Sequence, residues 1–128
     1  TYVAYCFADK QGYSLMNSYK GNANADGTFI PTLNSLGVPI QPVWTLIKDI
    51  DSANSWGIRD TVRNPYNIIT QELHPNLNNA EYSSNTIDIV TGGIKNRVSG
   101  VPNTASTYVY MAIGTPIIDT NGRIIAGR

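Results

Sequence analysis

The sequence contains few of the residues that catalytic and metal sites require. Among 128 residues there is one cysteine, Cys6, and one histidine, His74. One cysteine cannot form an intrachain disulfide, and these two residues are too few for a zinc site, which normally has three or four protein ligands. His74 precedes Pro75 in a polar stretch, and serine is too common to identify a triad partner for it. We therefore predict no catalytic residues, no enzymatic activity and no cofactor.

The sequence also lacks net charge and long hydrophobic runs. Nine lysines and arginines balance nine aspartates and glutamates, and no two like charges are adjacent. Without a basic field there is nothing to steer the protein to nucleic acid. No apolar stretch approaches the roughly 20 residues that a membrane-spanning helix needs. We therefore expect neither nucleic-acid binding nor membrane insertion.

The residues that are abundant favour strands. Ile, Val, Thr, Tyr, Phe and Trp are frequent, whereas Leu, Glu, Lys and Gln, which favour helices, are sparse. Asn, Gly and Pro occur along the whole chain, as short strands joined by tight turns require. The composition predicts an all-β domain, an antiparallel β-sandwich of jelly-roll or lectin-like form.

A central hairpin is the clearest local pattern. Residues 43–48 and 56–61 alternate as strands around the polar loop 49–55. We predict that Trp44 lies in the core, that the loop is exposed, and that Pro39 and Pro42 prevent the first strand from extending backwards. The other predicted strands are residues 1–8, 13–20, 28–33, 86–90, 94–98 and 106–113, with an irregular segment at residues 73–84. Residues 1–8 are aromatic, β-branched and uncharged, so we expect this strand to be buried.

The two ends of the chain suggest a repeat. The segment at residues 107–112 has the same character as residues 1–6, 106 positions earlier. We interpret residues 1–8 as the closing strand of a preceding repeat and residues 9–114 as the sandwich module; chance similarity is the alternative. Residues 115–128 form a predicted C-terminal hairpin tail, because residues 117–125 are nearly symmetric about Asn-Gly.

Two groups of polar residues are candidate ligand sites. The hairpin carries Asp49, Asp51, Asn54 and Trp56, and sugar sites combine planar polar groups with an aromatic ring in this way. The alternative is a solvated hairpin tip, with Trp56 packed in the core.

The second group is a candidate calcium site. Asn22, Asn24 and Asp26 have the alternating oxygens that begin an EF-hand loop. The twelfth position, where a bidentate acid belongs, is Leu33, so a plain turn is the preferred interpretation and no metal is expected.

Nine short motifs, in this order, resemble a repeat module of unknown biochemical function from phage tail-fibre-like structural proteins, especially those of marine and cyanobacterial phages. They are Tyr-Val-Ala-Tyr-Cys-Phe-Ala (2–8), Gly-Tyr-Ser (12–14), Ser-Tyr-Lys-Gly-Asn (18–22), Asp-Gly-Thr-Phe-Ile (26–30), Leu-Ile-Lys (46–48), Asn-Ser-Trp (54–56), Arg-Asn-Pro-Tyr-Asn (63–67), Asn-Ala-Glu-Tyr (79–82) and Tyr-Val-Tyr-Met-Ala (108–112). Residues 33–40 and the tail after Gly114 depart from the pattern. The resemblance implies a β-sandwich in a virion appendage, often in tandem copies, and no catalytic residues.

We therefore expect a structural module of a phage tail fibre or other virion appendage, located on the extracellular particle and presenting a host-receptor, glycan-binding surface. We expect self-association, with a homotrimer as the expected form, and contact with other virion proteins. Three features favour this: the unpaired first strand, the isoleucines of the tail and the threefold symmetry that is general in virion fibres. The alternative is that the tail hairpin folds back onto its own sandwich and buries the isoleucines there. A carbohydrate-binding module of a secreted protein and a capsid decoration protein are the alternatives.

Overall fold

The described part of the chain is built from β-strands alone. The computed structural model describes residues 1–33, 37–118 and 120–123. The strands, in chain order, are β1 (Ser14–Lys20), β2 (Phe29–Pro31), β3 (Ile40–Asp49), β4 (Gly57–Asp60), β5 (Ile69–Glu72), β6 (Tyr82–Val90), β7 (Gly93–Asn96) and β8 (Thr107–Pro116).

The strands form two packed antiparallel sheets. The front sheet has the order β1-β8-β3-β4, and the back sheet has the order β2-β7-β6-β5. The first strand pairs with the last, and β2 pairs with β7, an enclosing arrangement that is typical of jelly rolls. The predicted hairpins at residues 43–61 and 86–98 are present as β3–β4 and β6–β7. The all-β sandwich prediction is confirmed.

The core lies between the sheets and consists mainly of branched aliphatic and tyrosine side chains. Alternate residues of most strands point inward, so one face of each contributes to the core, whereas in β6 four consecutive residues, 86–89, are buried. The fully buried apolar side chains are Leu15, Ile30, Ile40, Ile47, Ile69, Ile87, Ile94, Tyr108 and Ala112, with Ile89 and Tyr110 nearly so.

A bulge in β3 determines which side of the front sheet its side chains occupy. Ile40 and Pro42 are buried, but the register with β8 shifts between Pro42 and Trp44, and from there the odd-numbered residues point inward. A β-bulge inserts one extra residue and so exchanges the two faces of the strand beyond it. The prediction that Trp44 lies in the core is therefore wrong: Trp44 is partly exposed on the outer face.

Two strand boundaries also differ from the prediction, and one strand is additional. β3 begins at Ile40, and Pro42 lies within it, because the irregular pairing at the bulge tolerates a residue without an N–H. β5 was not predicted, and β6 begins at Tyr82 rather than at residue 86. The segment 73–84, predicted to be irregular, therefore includes the start of a long strand.

The N-terminal arm, residues 1–8, forms no strand with the described residues, and all eight residues are exposed. The prediction that these residues are buried, which rested on their apolar composition, is therefore wrong for a single copy of the chain. Pairing of the arm with another copy of the module stays a prediction.

The predicted tail hairpin lies partly outside the described residues, which omit residues 119 and 124–128. Gly122 has a φ of +76°, a left-handed conformation that glycine adopts without strain. Ile118 is exposed.

Candidate functional site

The acidic residues of the β3–β4 loop mainly shape the loop itself. Asp49 is only 1% exposed, which corrects the prediction that the whole loop is exposed. One oxygen of its carboxylate accepts a hydrogen bond from the Asp51 backbone N–H at 3.0 Å, and the other accepts one from Asn54 Nδ2 at 2.8 Å. Asp51 in turn accepts a 2.7 Å hydrogen bond from the Thr107 backbone N–H. That bond, together with the nearby Lys20, lowers the pKa of Asp51.

Trp56 does not join these polar groups in one site. Its side chain is 39% exposed and lines the outer face of the front sheet, whereas Asp49 lies between the sheets. The predicted sugar-binding set is therefore divided between two sides of the sheet. Asn54 lies at the rim of a different depression, described below.

The candidate calcium ligands are engaged in local hydrogen bonds. Asn22 Oδ1 accepts from the Asn24 backbone N–H at 3.0 Å, and Asn24 Oδ1 accepts from the Asp26 backbone N–H at 2.9 Å. Asp26 forms an ion pair with Lys95 at 2.6 Å, and this bond lowers the pKa of Asp26. Asn103 donates to Asn22 Oδ1 and fastens the loop to the sandwich. The geometry is that of an Asx-stabilised turn held by a lysine. Within the described ranges, no group of three or more metal-ligating side chains is found.

A polar pocket of about 210 Å3 opens at the edge where β4, β5 and β6 meet. It is lined by Asn54, Ser55, Glu72, His74, Tyr82, Ser84 and Val101. We refer to this set as the polar pocket. The β4–β5 contact that forms it is a reciprocal pair of backbone hydrogen bonds between Ile58 and Leu73. The pocket therefore lies where the front and back sheets join.

His74 and Tyr82 form one wall of the polar pocket. The His74 Nδ1 atom lies 2.7 Å from the Trp56 carbonyl oxygen, which can only accept, so Nδ1 carries the proton. In the neutral ring, Nε2 is then an acceptor for the Tyr82 hydroxyl at 2.9 Å. The two ring centroids are 5.0 Å apart, with the planes inclined by 35°. These contacts hold both rings in place.

Glu72, which lies at the floor of the pocket, belongs to a buried ion pair. Arg59 Nη2 lies 2.5 Å from Glu72 Oε2, and both side chains are almost completely buried. A side chain at Gly57 would prevent this contact, because its Cβ would lie 2.6 Å from Glu72 Oε1 and 2.9 Å from Arg59 Nη1. Glycine at this position therefore makes room for the pair.

The hydroxyl of Tyr82 is protonated at neutral pH. Burial raises its pKa, and the negative charge of Glu72 raises it further. The hydroxyl can therefore act as a donor to His74 while its oxygen accepts another hydrogen bond.

A second depression, the apolar groove, runs across the outer face of the front sheet and measures about 820 Å3. It is lined by Tyr5, Phe7, Met16, Asn17, Ser18, Trp44, Leu46, Trp56, Val109, Tyr110 and Met111. Most of these residues belong to β1, β3 and β8, and Tyr5 and Phe7 come from the N-terminal arm. Large apolar side chains thus line the side of the sheet that faces away from the core.

Sequence reasoning missed both depressions for the same reason. Their residues come from segments far apart in the chain, such as Asn54, Glu72 and Ser84 in the polar pocket. One signal was present: Arg59 is a charged residue within the predicted strand at residues 56–61. A charged residue in a strand between two sheets needs a partner, and the sequence offers few candidates.

The fold and these two depressions define the class of protein: a two-sheet antiparallel β-sandwich domain whose described residues form a polar pocket and an apolar groove. The family model of a domain of unknown function (DUF7483) matches residues 1–115, and the chain belongs to this family. The match includes the N-terminal arm and ends within β8. Comparison with curated proteins and with solved structures gave no significant match. Over the part of the chain that is described, no helix is long and apolar enough to cross a membrane.

Proposed function

We propose that this domain is a non-catalytic structural module of a phage tail fibre or other virion appendage, and that it associates with neighbouring copies through its apolar groove. The observation that carries the proposal is the groove itself. Trp44, Leu46 and Met111 are large apolar side chains that lie on the outer face of a sheet whose other face already supplies the core.

Such a surface has an energetic consequence. Contiguous apolar patches on soluble domains mark contact sites, because removing apolar area from water stabilises a complex by about 25 cal/mol per Å2. A sheet whose outer face only met solvent would show polar residues at these positions. The groove is thus suited to a protein contact.

A second copy of the module is the proposed partner. The N-terminal arm carries Tyr2, Tyr5 and Phe7, all exposed, and has no strand partner among the described residues. Its Tyr5 and Phe7 already border the groove. An arm of this composition in a neighbouring copy offers both aromatic side chains and unpaired backbone groups. The resemblance to virion fibre repeats supports a trimer as the assembled form, on the extracellular particle.

The test is Val109→Lys, with Val62→Lys as its matched control. Val109 lines the groove, whereas Val62 is exposed in a turn away from it. We expect sedimentation of the unmodified chain to show an oligomer, Val109→Lys to dissociate it, and Val62→Lys to leave it intact. Circular dichroism would check that each variant is folded, and Leu46→Gln is a second groove variant.

An unmodified chain that is monomeric at high micromolar concentration would contradict the proposal. A monomer would favour the carbohydrate-binding module of a secreted protein. Equal dissociation by both valine variants would show that the groove is not the contact.

A further inference from the structure

The polar pocket has the features of a ligand site that the proposed assembly role does not use. It shares no lining residue with the apolar groove. We propose that the polar pocket binds a single neutral sugar ring, as the terminal unit of a glycan. The inference rests on the proposed non-catalytic role and specifies the site at which such a module would recognise a glycan.

The size of the pocket limits the ligand to one ring. Sites for drug-sized ligands measure roughly 300–1,000 Å3, and the polar pocket measures about 210 Å3. A single pyranose ring suits a pocket of this size, whereas a peptide segment or a nucleotide is too large for it. The remainder of a glycan would extend into solvent at the rim.

The electrostatics of the floor favour a neutral ligand. Glu72 is neutralised by Arg59 at 2.5 Å, and both nitrogens of His74 are engaged, by the Trp56 carbonyl and the Tyr82 hydroxyl. A phosphate or carboxylate would therefore find no unpaired cation at this site. A cation would find a single carboxylate that already has a partner.

Hydrogen-bonding groups around the rim remain available for hydroxyls. Asn54 donates to Asp49 through Nδ2, and its amide oxygen accepts no hydrogen bond from the described residues. Ser55 and Ser84 add two hydroxyls to the lining, and Ser55 Oγ, which accepts a long hydrogen bond of 3.5 Å from Asn76 Nδ2, can still donate. Sugar hydroxyls both donate and accept, so mixed amide and hydroxyl groups of this kind match them. The adjoining rings of His74 and Tyr82 provide a surface against which one face of a sugar can pack.

A second observation concerns Arg59, which is 1% exposed. Its Nε and Nη1 atoms have no hydrogen-bond partner among the residues that the structure describes. Arg59 lines a cavity of about 10 Å3, the volume of about one water molecule, whose lining also includes Ser55, Glu72 and Val101 of the polar pocket. Buried donors without partners are rare. Their position places unused hydrogen-bond donors directly behind the pocket floor.

The experiment is an NMR titration of the 15N-labelled chain with the methyl glycosides of glucose, galactose and mannose, each up to tens of millimolar. We expect at least one of them to shift amide signals at Asn54, His74 and Tyr82 with saturation. The variant Tyr82→Ala should weaken that binding at least tenfold, because it removes one of the two rings. Tyr66→Ala is the matched control, since Tyr66 is exposed in a turn outside the pocket, and it should bind like the unmodified chain.

Three outcomes would overturn the sugar site: no shifts with any of the three glycosides, shifts that map elsewhere, or unchanged binding by Tyr82→Ala. Tyr82→Phe keeps the ring and serves if Tyr82→Ala does not fold; loss of the hydroxyl contact with His74 should weaken binding severalfold. Release of methanol, followed in one-dimensional proton spectra of the same samples, would instead contradict the proposed non-catalytic role while leaving the binding site intact. Sedimentation of Val109→Lys tests the assembly surface separately.

Discussion

In an ordinary sandwich the inner face of a sheet is apolar and the outer face is polar, but in one part of this front sheet the two are exchanged. Near the β3–β4 hairpin, the inner face carries Asp49 and Arg59, both 1% exposed, while the outer face carries Trp44 and Leu46. Elsewhere on the sheet the inner face is apolar, with Tyr108 and Ala112. The difference teaches that the side of a sheet that a residue occupies is set by strand register, not by its polarity alone.

The inverted arrangement is stable because each buried charge is compensated. Arg59 pairs with Glu72, and Asp49 accepts hydrogen bonds from its own loop. A buried charge without such partners costs several kcal/mol, so these contacts are as necessary as the apolar core around them. The outer apolar side chains incur a smaller penalty, which the proposed contact with a second copy would remove.

The largest effect is expected from breaking the inner ion pair. Glu72→Ala would leave Arg59 charged and buried, and should lower the free energy of unfolding by about 3–5 kcal/mol, measured by urea denaturation. Glu81→Ala is the matched control, because Glu81 pairs with Arg63 at the surface, and it should cost less than about 1 kcal/mol. Equal costs for the two variants would show that the inner face tolerates an unpaired charge.

Substitutions at two neighbouring residues of β3 allow a direct comparison of the two faces. Ile47 is 2% exposed toward the core, and Leu46 lies on the outer face. Ile47→Ala should destabilise the fold by about 2–5 kcal/mol, since it leaves a cavity. Leu46→Ala should cost less than half as much in the dissociated protein and should mainly weaken self-association. If Leu46→Ala costs as much as Ile47→Ala in the monomer, the assignment of the two faces is wrong.

Alkaline pH probes the apolar part of the inner face. Burial raises the pKa of Tyr110 to about 12, above its ordinary value of 10. The pKa of Tyr110 is higher in the folded than in the unfolded state, so its neutral, buried hydroxyl stabilises the fold. This contribution to the free energy of unfolding is complete below pH 10 and decreases as the pH rises from 10 to 12. The loss should reach about 2–3 kcal/mol. Burial also raises the pKa of Tyr19.

The measurement is urea denaturation between pH 9 and pH 12, compared between the unmodified chain and Tyr110→Phe. The variant should have a shallower decrease of stability with pH, and Tyr19 should account for part of what remains. An identical slope in both proteins would contradict the burial of the Tyr110 hydroxyl.

Local pattern predicted the strands and hairpins well. The β3–β4 and β6–β7 hairpins and strands β1, β2 and β8 were expected near their observed positions, because alternation and turn residues act over a few neighbours. β5 was missed, because four residues with only one hydrophobic side chain give too short a signal. The arm at residues 1–8 was predicted to be buried from composition alone, which does not say what is available to cover it.

The candidate sites depend on contacts between segments that are far apart in the sequence. The loop residues Asp49, Asp51 and Asn54 were recognised as a polar group, but their hydrogen bonds to one another and to Thr107 depend on how β3 meets β8. Trp56 was assigned to the same group because it is close in sequence, and strand register places it on the other side of the sheet.

By itself, the sequence determined that this protein is an antiparallel β-sandwich, because strand propensity, alternation and turn chemistry are properties of short segments. Only the tertiary structure decided which face each strand presents, since one bulge at Val43 exchanges the inner and outer sides of β3. It also decided that Arg59 meets Glu72 beneath a pocket, because that contact requires β4 and β5, which lie in different sheets, to approach each other at the edge of the sandwich.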